Sequence, residues 1–160
     1  MDNWKEALGD LCSQRDKQKE LEKDRAKSEY EKFIETKQKA TAVFMSVIIP
    51  AFEELKAELE KHSRKVKIIK DFDTENLPSA IIIIESCSAI DDFDYIEEFS
   101  YKVNCSTEAQ TLVDIRYMEN KIIKEEFHDC PLKDEDLNSI FDIAREDIIE
   151  SFMYCFERYI

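Results

Sequence analysis

An α+β fold is what this chain of 160 residues predicts, and three observations carry the prediction. Helix-forming residues and helical spacing run up to about His62. Two-residue alternation takes over from Val66, and a helical stripe returns near the C-terminus. Runs of helix, then strands, then helix favour segregated layers over strand–helix alternation.

Residues 3–40 are rich in Lys, Glu, Asp, Gln and Ala, nearly all good helix formers. Opposite charges sit one turn apart at Glu20 and Lys23, Glu22 and Arg25, Glu29 and Lys32, and Glu35 and Lys39. Each pair adds only a few tenths of a kcal/mol, but together they support an exposed helix. From Tyr30 the apolar residues thicken. Phe33, Ala40, Phe44, Ile48, Phe52, Leu55 and Leu59 recur at spacings of three, four or seven. The spacing predicts one stripe across Pro50: a long helix kinked there, or a second helix with Pro50 in its first turn. The helix should end near His62 and Ser63. The expected organisation is a charged helical arm over 1–29 and a single α+β domain over 30–160.

Four or five antiparallel strands are expected next. Val66–Phe72 is β-rich. Ile81–Ile84 reads as a strand buried on both faces. Phe99, Tyr101, Val103 and Cys105 alternate with polar residues, as do Val113, Ile115 and Tyr117. A last strand is expected over Lys121–Phe127. Dry faces must match, because a slip of one residue turns every side chain over. That rule pairs Tyr101 with Ile115, Val103 with Val113, Phe99 with Tyr117, and Lys102 with Asp114 on the wet face. At the C-terminus, Asp134 is the expected N-cap of one long helix packed on the sheet. Its stripe is Leu137, Phe141, Ala144, Ile148, Phe152, Cys155 and Tyr159.

Charge limits the partners. The chain has 23 Lys plus Arg against 37 Asp plus Glu, a net charge of −14. Residues 1–40 hold 10 basic and 10 acidic side chains, and residues 65–160 hold 10 and 23. So acidic a body repels phosphate, and neither nucleic acid nor a membrane is an expected partner; a protein with a basic surface is. The longest apolar window, around Ala42–Phe52, is too short to span a bilayer. Gly9 is the one glycine. No phosphate-cradling loop can be built from it, and helix C-caps and tight turns must manage without glycine. Five cysteines, Cys12, Cys87, Cys105, Cys130 and Cys155, form no CxxC pair, which points to free thiols and a cytoplasmic location.

Catalytic candidates are few. His128 and Cys130 sit among Glu125, Glu126, Asp129 and Asp134, and acidic neighbours raise a thiol pKa. Asp91, Asp92, Asp94, Glu97 and Glu98 form one acidic cluster and Asp71, Asp73 and Glu75 another, but neither has the spacing of a calcium loop. Glu119-Asn120-Lys121 matches half of a metal-nuclease pattern, yet falls in a predicted turn. GxSxG, HExxH and phosphate-loop motifs are missing from the sequence. The expectation is therefore a protein that is not an enzyme and uses no cofactor and no metal.

Trp4, Leu8 and Leu11 stand apart. They share one face of an otherwise polar helix, where an apolar patch is wasted unless it meets something. The expected function is a non-catalytic interaction or assembly module, homodimeric through this face. The competing reading folds the arm back on its own sheet. An alternative function is an apolar-ligand pocket between the sheet and the C-terminal helix.

Overall fold

The computed structural model describes residues 3–72, 75–87, 95–119, 122–127 and 139–159. Side chains at 87, 95–96, 119, 122–127 and 159 lie outside the description. The architecture is α+β. Helix α1 (Asn3–Val43) passes through a π-helical turn (Phe44–Ile48) into α2 (Ile49–Lys61). Five strands follow: β1 (Lys65–Asp71), β2 (Ser79–Cys87), β3 (Tyr95–Cys105), β4 (Thr111–Glu119) and β5 (Ile122–Phe127). They form one antiparallel sheet in sequence order. A 3₁₀ turn (Ile140–Asp142) precedes the last helix, α3 (Arg145–Tyr159). The chain divides into two compact units, Met1–Thr36 and Lys37–Ile160.

Pro50 lies in the first turn of α2, and the π turn explains how the helix passes it. Proline has no N–H and its ring crowds the carbonyl four residues back. The N–H of Ile49 instead reaches the Phe44 carbonyl, five residues back, in a wider turn. The same turn corrects the phase of the stripe. Ala40, Phe44, Ile48 and Phe52 are spaced by four, and each step of four overshoots a helical turn by about 40°. Left uncorrected, that drift would carry the stripe off the core. All four side chains are fully buried.

The β3–β4 register is the expected one: Phe99 faces Tyr117, Tyr101 faces Ile115, Lys102 faces Asp114 and Val103 faces Val113. The dry face of the sheet, from Val66 through Ile82, Ile84, Phe99, Tyr101 and Val103 to Val113 and Ile115, is buried in a common core with α2 and α3. Ile81 and Ile83 are only half buried on the opposite face, so β2 is not closed on both sides as its four isoleucines suggest. Between Ile84 and Glu85 the β2–β3 register shifts by a bulge.

Rings fill the space between sheet and helices. Phe52 of α2 meets Tyr101 at 6.1 Å between centroids, and Tyr101 meets Phe152 of α3 at 5.6 Å, both edge-on. Phe99 meets Phe152 at 5.8 Å and Phe156 at 5.4 Å. The Tyr101 hydroxyl donates to Ser151 Oγ at 2.7 Å, so the polar end of the deepest ring is satisfied. Arg145 at the start of α3 pairs with Glu54 of α2.

The C-terminal helix is shorter than its stripe predicts. Asp134 and Leu137 lie outside the described residues, and the helix begins at Arg145, after Phe141 and Ala144. Backbone bonding holds the preceding segment elsewhere. The Ile140 N–H donates to the Ala109 carbonyl at 2.8 Å, and Ser139 bridges to Gln110 beside it. Ile140 and Ile143 are thereby buried, while Phe141 remains 44% exposed. Asp147 caps α3, its carboxylate accepting from the Ala144 N–H at 3.0 Å.

Two non-glycine residues adopt positive φ, Ser63 at 62° and Ala109 at 61°. Ser63 closes α2 in a Schellman arrangement, with its own N–H bonded to the Glu60 carbonyl and that of Arg64 to the Leu59 carbonyl. Ala109 closes the β3–β4 turn, where Ser106 Oγ accepts from the Gln110 N–H at 3.0 Å.

Two predictions follow from the packing and the turns. Phe152→Ala should cost about 3–5 kcal/mol, as for other buried phenylalanines. Phe141→Ala should cost well under half of that, and denaturant melts measure both. Ser63→Gly and Ala109→Gly should each stabilise the fold by about 0.5–1 kcal/mol, the left-handed strain relieved less the added freedom of the unfolded chain. Thermal melts of the two variants check this.

Candidate interaction site

The candidate site is the first stretch of α1. Its residues carry high helix propensity and dense i,i+3 and i,i+4 charge pairing, which is why it is helical. Trp4, Leu8 and Leu11 follow one another by four and three residues, so they share one face. They are 62%, 53% and 62% exposed. Lys5 Nζ lies 5.6 Å from the centre of the Trp4 ring, the attraction expected of a cation over an indole. Gly9 lies on the opposite face with open space around it. Continued at the same spacing, the face carries Arg15, Gln18 and Glu22, all exposed. Beyond the first three turns it is therefore polar.

A second surface was not anticipated from the sequence. On the outer face of the sheet, Ile69, Ile81 and Ile83 border a concavity of about 400 Å³ with Ser100, Lys102 and Asp114. Asp114 Oδ2 accepts from Asn104 Nδ2 at 2.6 Å, and its Oδ1 is buried without a hydrogen-bond partner. Asn104 thus takes the carboxylate that the register sets across from Lys102. Arg116 lies 3.7 Å from Glu97 at the rim. A signal for this hollow exists in the sequence: Ser100, a small residue, sits mid-sheet between larger neighbours. Between the sheet and the C-terminal helix, among the described residues, Phe52, Phe99 and Phe152 fill the space around Tyr101.

Among the described residues, the remaining candidates are not brought together. His128, Cys130, Asp73, Asp91, Asp92 and Asp94 lie outside the described residues. Glu97 and Glu98 are half buried along β3, while Asp71 and Glu75 are exposed. Of Glu119-Asn120-Lys121, Glu119 ends β4 and pairs with Ile122 of β5, and Asn120 and Lys121 lie outside the described residues. Among the described residues, no three His, Cys, Asp or Glu side chains gather as a metal site. No described helix is long and apolar enough to cross a membrane.

The cysteines correct one expectation. Cys155 is disulfide-bonded, whereas Cys12 and Cys105 are free, so its partner lies outside the described side chains. Burial pushes the Cys105 thiol up to about 11. It also pushes the Tyr101 phenol well above its usual range, opposed in part by the bond to Ser151. Both groups are held neutral by the fold. Their stabilisation is complete below the pH at which the unfolded chain ionises, and is lost as pH rises through the folded values.

With Cys155 bridged, the denatured, unreduced protein should titrate fewer thiols than the five cysteines of the sequence. In the native protein at neutral pH, an alkylating reagent should modify Cys12 and spare Cys105. Stability should decline as pH rises through about 9, where the unfolded Cys105 thiol is half ionised, until the folded thiol ionises near 11. Thiol counting by mass and alkaline melts check these outcomes.

Comparison with protein-family models, with curated proteins and with solved structures finds no match to this chain.

Proposed function

We propose that this chain is a non-catalytic interaction or assembly module that forms a homodimer through its N-terminal helix. The observation that carries the reading is the exposed face of Trp4, Leu8 and Leu11. Helices gain most of their stability from a packed face, and the first turns of this one have a single short apolar face to pack. A second copy supplies a matching face. The even charge of residues 1–40 lets two such helices approach, whereas the acidic body would resist contact. That body suits a further protein partner with a basic surface. A cytoplasmic location belongs to the same reading, and the Cys155 bridge argues against it, because cytosolic reductants keep thiols open.

The hollow on the outer sheet face favours one second reading, the binding of a small ligand against Ile69, Ile81 and Ile83. Native mass spectrometry of the purified protein separates the two. A retained small molecule favours the hollow.

Light scattering across a concentration series should show the mass rising from one chain towards two. Leu8→Glu in the full chain should weaken that association about ten-fold or more, since a buried leucine becomes a charge. Removing residues 1–29 should abolish it. A mass near one chain at every concentration overturns the dimer, and an undiminished dimer without residues 1–29 moves the interface elsewhere.

A further inference from the structure

Resting on the dimer reading, we infer that the two N-terminal helices dock antiparallel over their first four turns, with Leu8 of each copy against Leu11 of the other and Arg15 of each over Trp4 of the other. The seam itself selects this orientation. From Trp4 through Leu8, Leu11, Arg15, Gln18, Glu22, Arg25 and Glu29, the steps alternate four and three, the repeat of a coiled coil. In a parallel pair every seam residue meets its own copy. Arg15 would then oppose Arg15, Glu22 oppose Glu22, Arg25 oppose Arg25 and Glu29 oppose Glu29, a column of like charges. The apolar layers would cover only the first end of that column.

Antiparallel docking over the first turns removes those clashes. The layers become Trp4 with Arg15, Leu8 with Leu11, and their two symmetry copies. Each of the three apolar side chains is then covered, and the charged stretch beyond Arg15 stays in water. Arg15 fits its place for two reasons. Within its own helix the residues three and four away are Cys12, Leu11, Gln18 and Lys19, so it has no acidic neighbour one turn away. Trp4 already attracts one cation, Lys5 at 5.6 Å from the ring centre, and an indole has a second face to offer.

The native thiol of Cys12, which is free and exposed, reports the orientation without touching Trp4, Leu8 or Leu11. Cys12 borders the seam. In the antiparallel pair it lies beside position 5 of the other copy, and in a parallel pair beside position 7. Full-length Lys5→Cys should therefore be captured by mild oxidation as a disulfide-linked dimer through Cys12, identified by peptide mass mapping. Ala7→Cys should yield little of it, and adding Cys12→Ser to Lys5→Cys should remove the link. Because Lys5→Cys also takes one cation from the indole, Arg15→Glu in the otherwise native chain is read separately, and should weaken association several-fold. In a parallel pair that change replaces one like-charge contact by another and leaves association unaltered. Efficient linkage through Ala7→Cys with none through Lys5→Cys overturns the orientation while leaving the dimer standing. A full-length protein that scatters as a single chain at all concentrations overturns the dimer itself.

Discussion

Tyr101 is the side chain on which the globular unit turns. It is fully buried at the middle of β3, touched edge-on by Phe52 from α2 and Phe152 from α3. Those two contacts join three elements far apart in sequence through one ring. Its hydroxyl is the difficulty, because an unbonded hydroxyl in so dry a place costs about 1–3 kcal/mol. Ser151, on the buried face of α3, removes that cost. The bond sets the helix along the strand as well as against it, since apolar contact alone has no preferred register. Phe99 and Phe156 extend the same ring chain towards the end of α3.

Scarcity of glycine shapes the rest of the fold. A chain with one glycine still needs left-handed residues where a helix closes and where a hairpin turns. Ser63 and Ala109 take those positions, and the hydrogen bonds around each outweigh the strain. The turn at Ala109 also serves a second purpose. Its carbonyl receives the Ile140 N–H, which seats Ile140 and Ile143 in the core and delays the start of α3. The π turn before Pro50 is a comparable compromise. One widened turn accommodates the missing proline N–H and restores the buried stripe to its face.

The two units put their apolar residues to different ends. Lys37–Ile160 buries its rings and branched side chains internally. Met1–Thr36 has few such residues and leaves three of them exposed on one helical face. Under the dimer reading, a short seam at the helix start suits reversible assembly. It buries little, and the charges that follow it confine the contact to the first turns.

Much of this was legible in the amino-acid order. Helical spacing, alternation in β3 and β4, and the opposition of Tyr101 to Ile115 and Val103 to Val113 follow from local periodicity and the need to match dry faces. The apolar face at Trp4, Leu8 and Leu11 is legible in the same way, because spacing along one helix is a local property. The stripe from Ala40 to Phe52 and the break near Pro50 were legible, but the π turn that joins the two helices was not. What tertiary structure decided was long-range. Phe141 fits the helical stripe, but the bond from the Ile140 N–H to the Ala109 carbonyl joins residues thirty-one positions apart and turns Phe141 outward. The Tyr101–Ser151 bond and the hollow beside Ser100 have the same origin. Each depends on which distant groups the closed core sets side by side, and periodicity describes only neighbours along the chain.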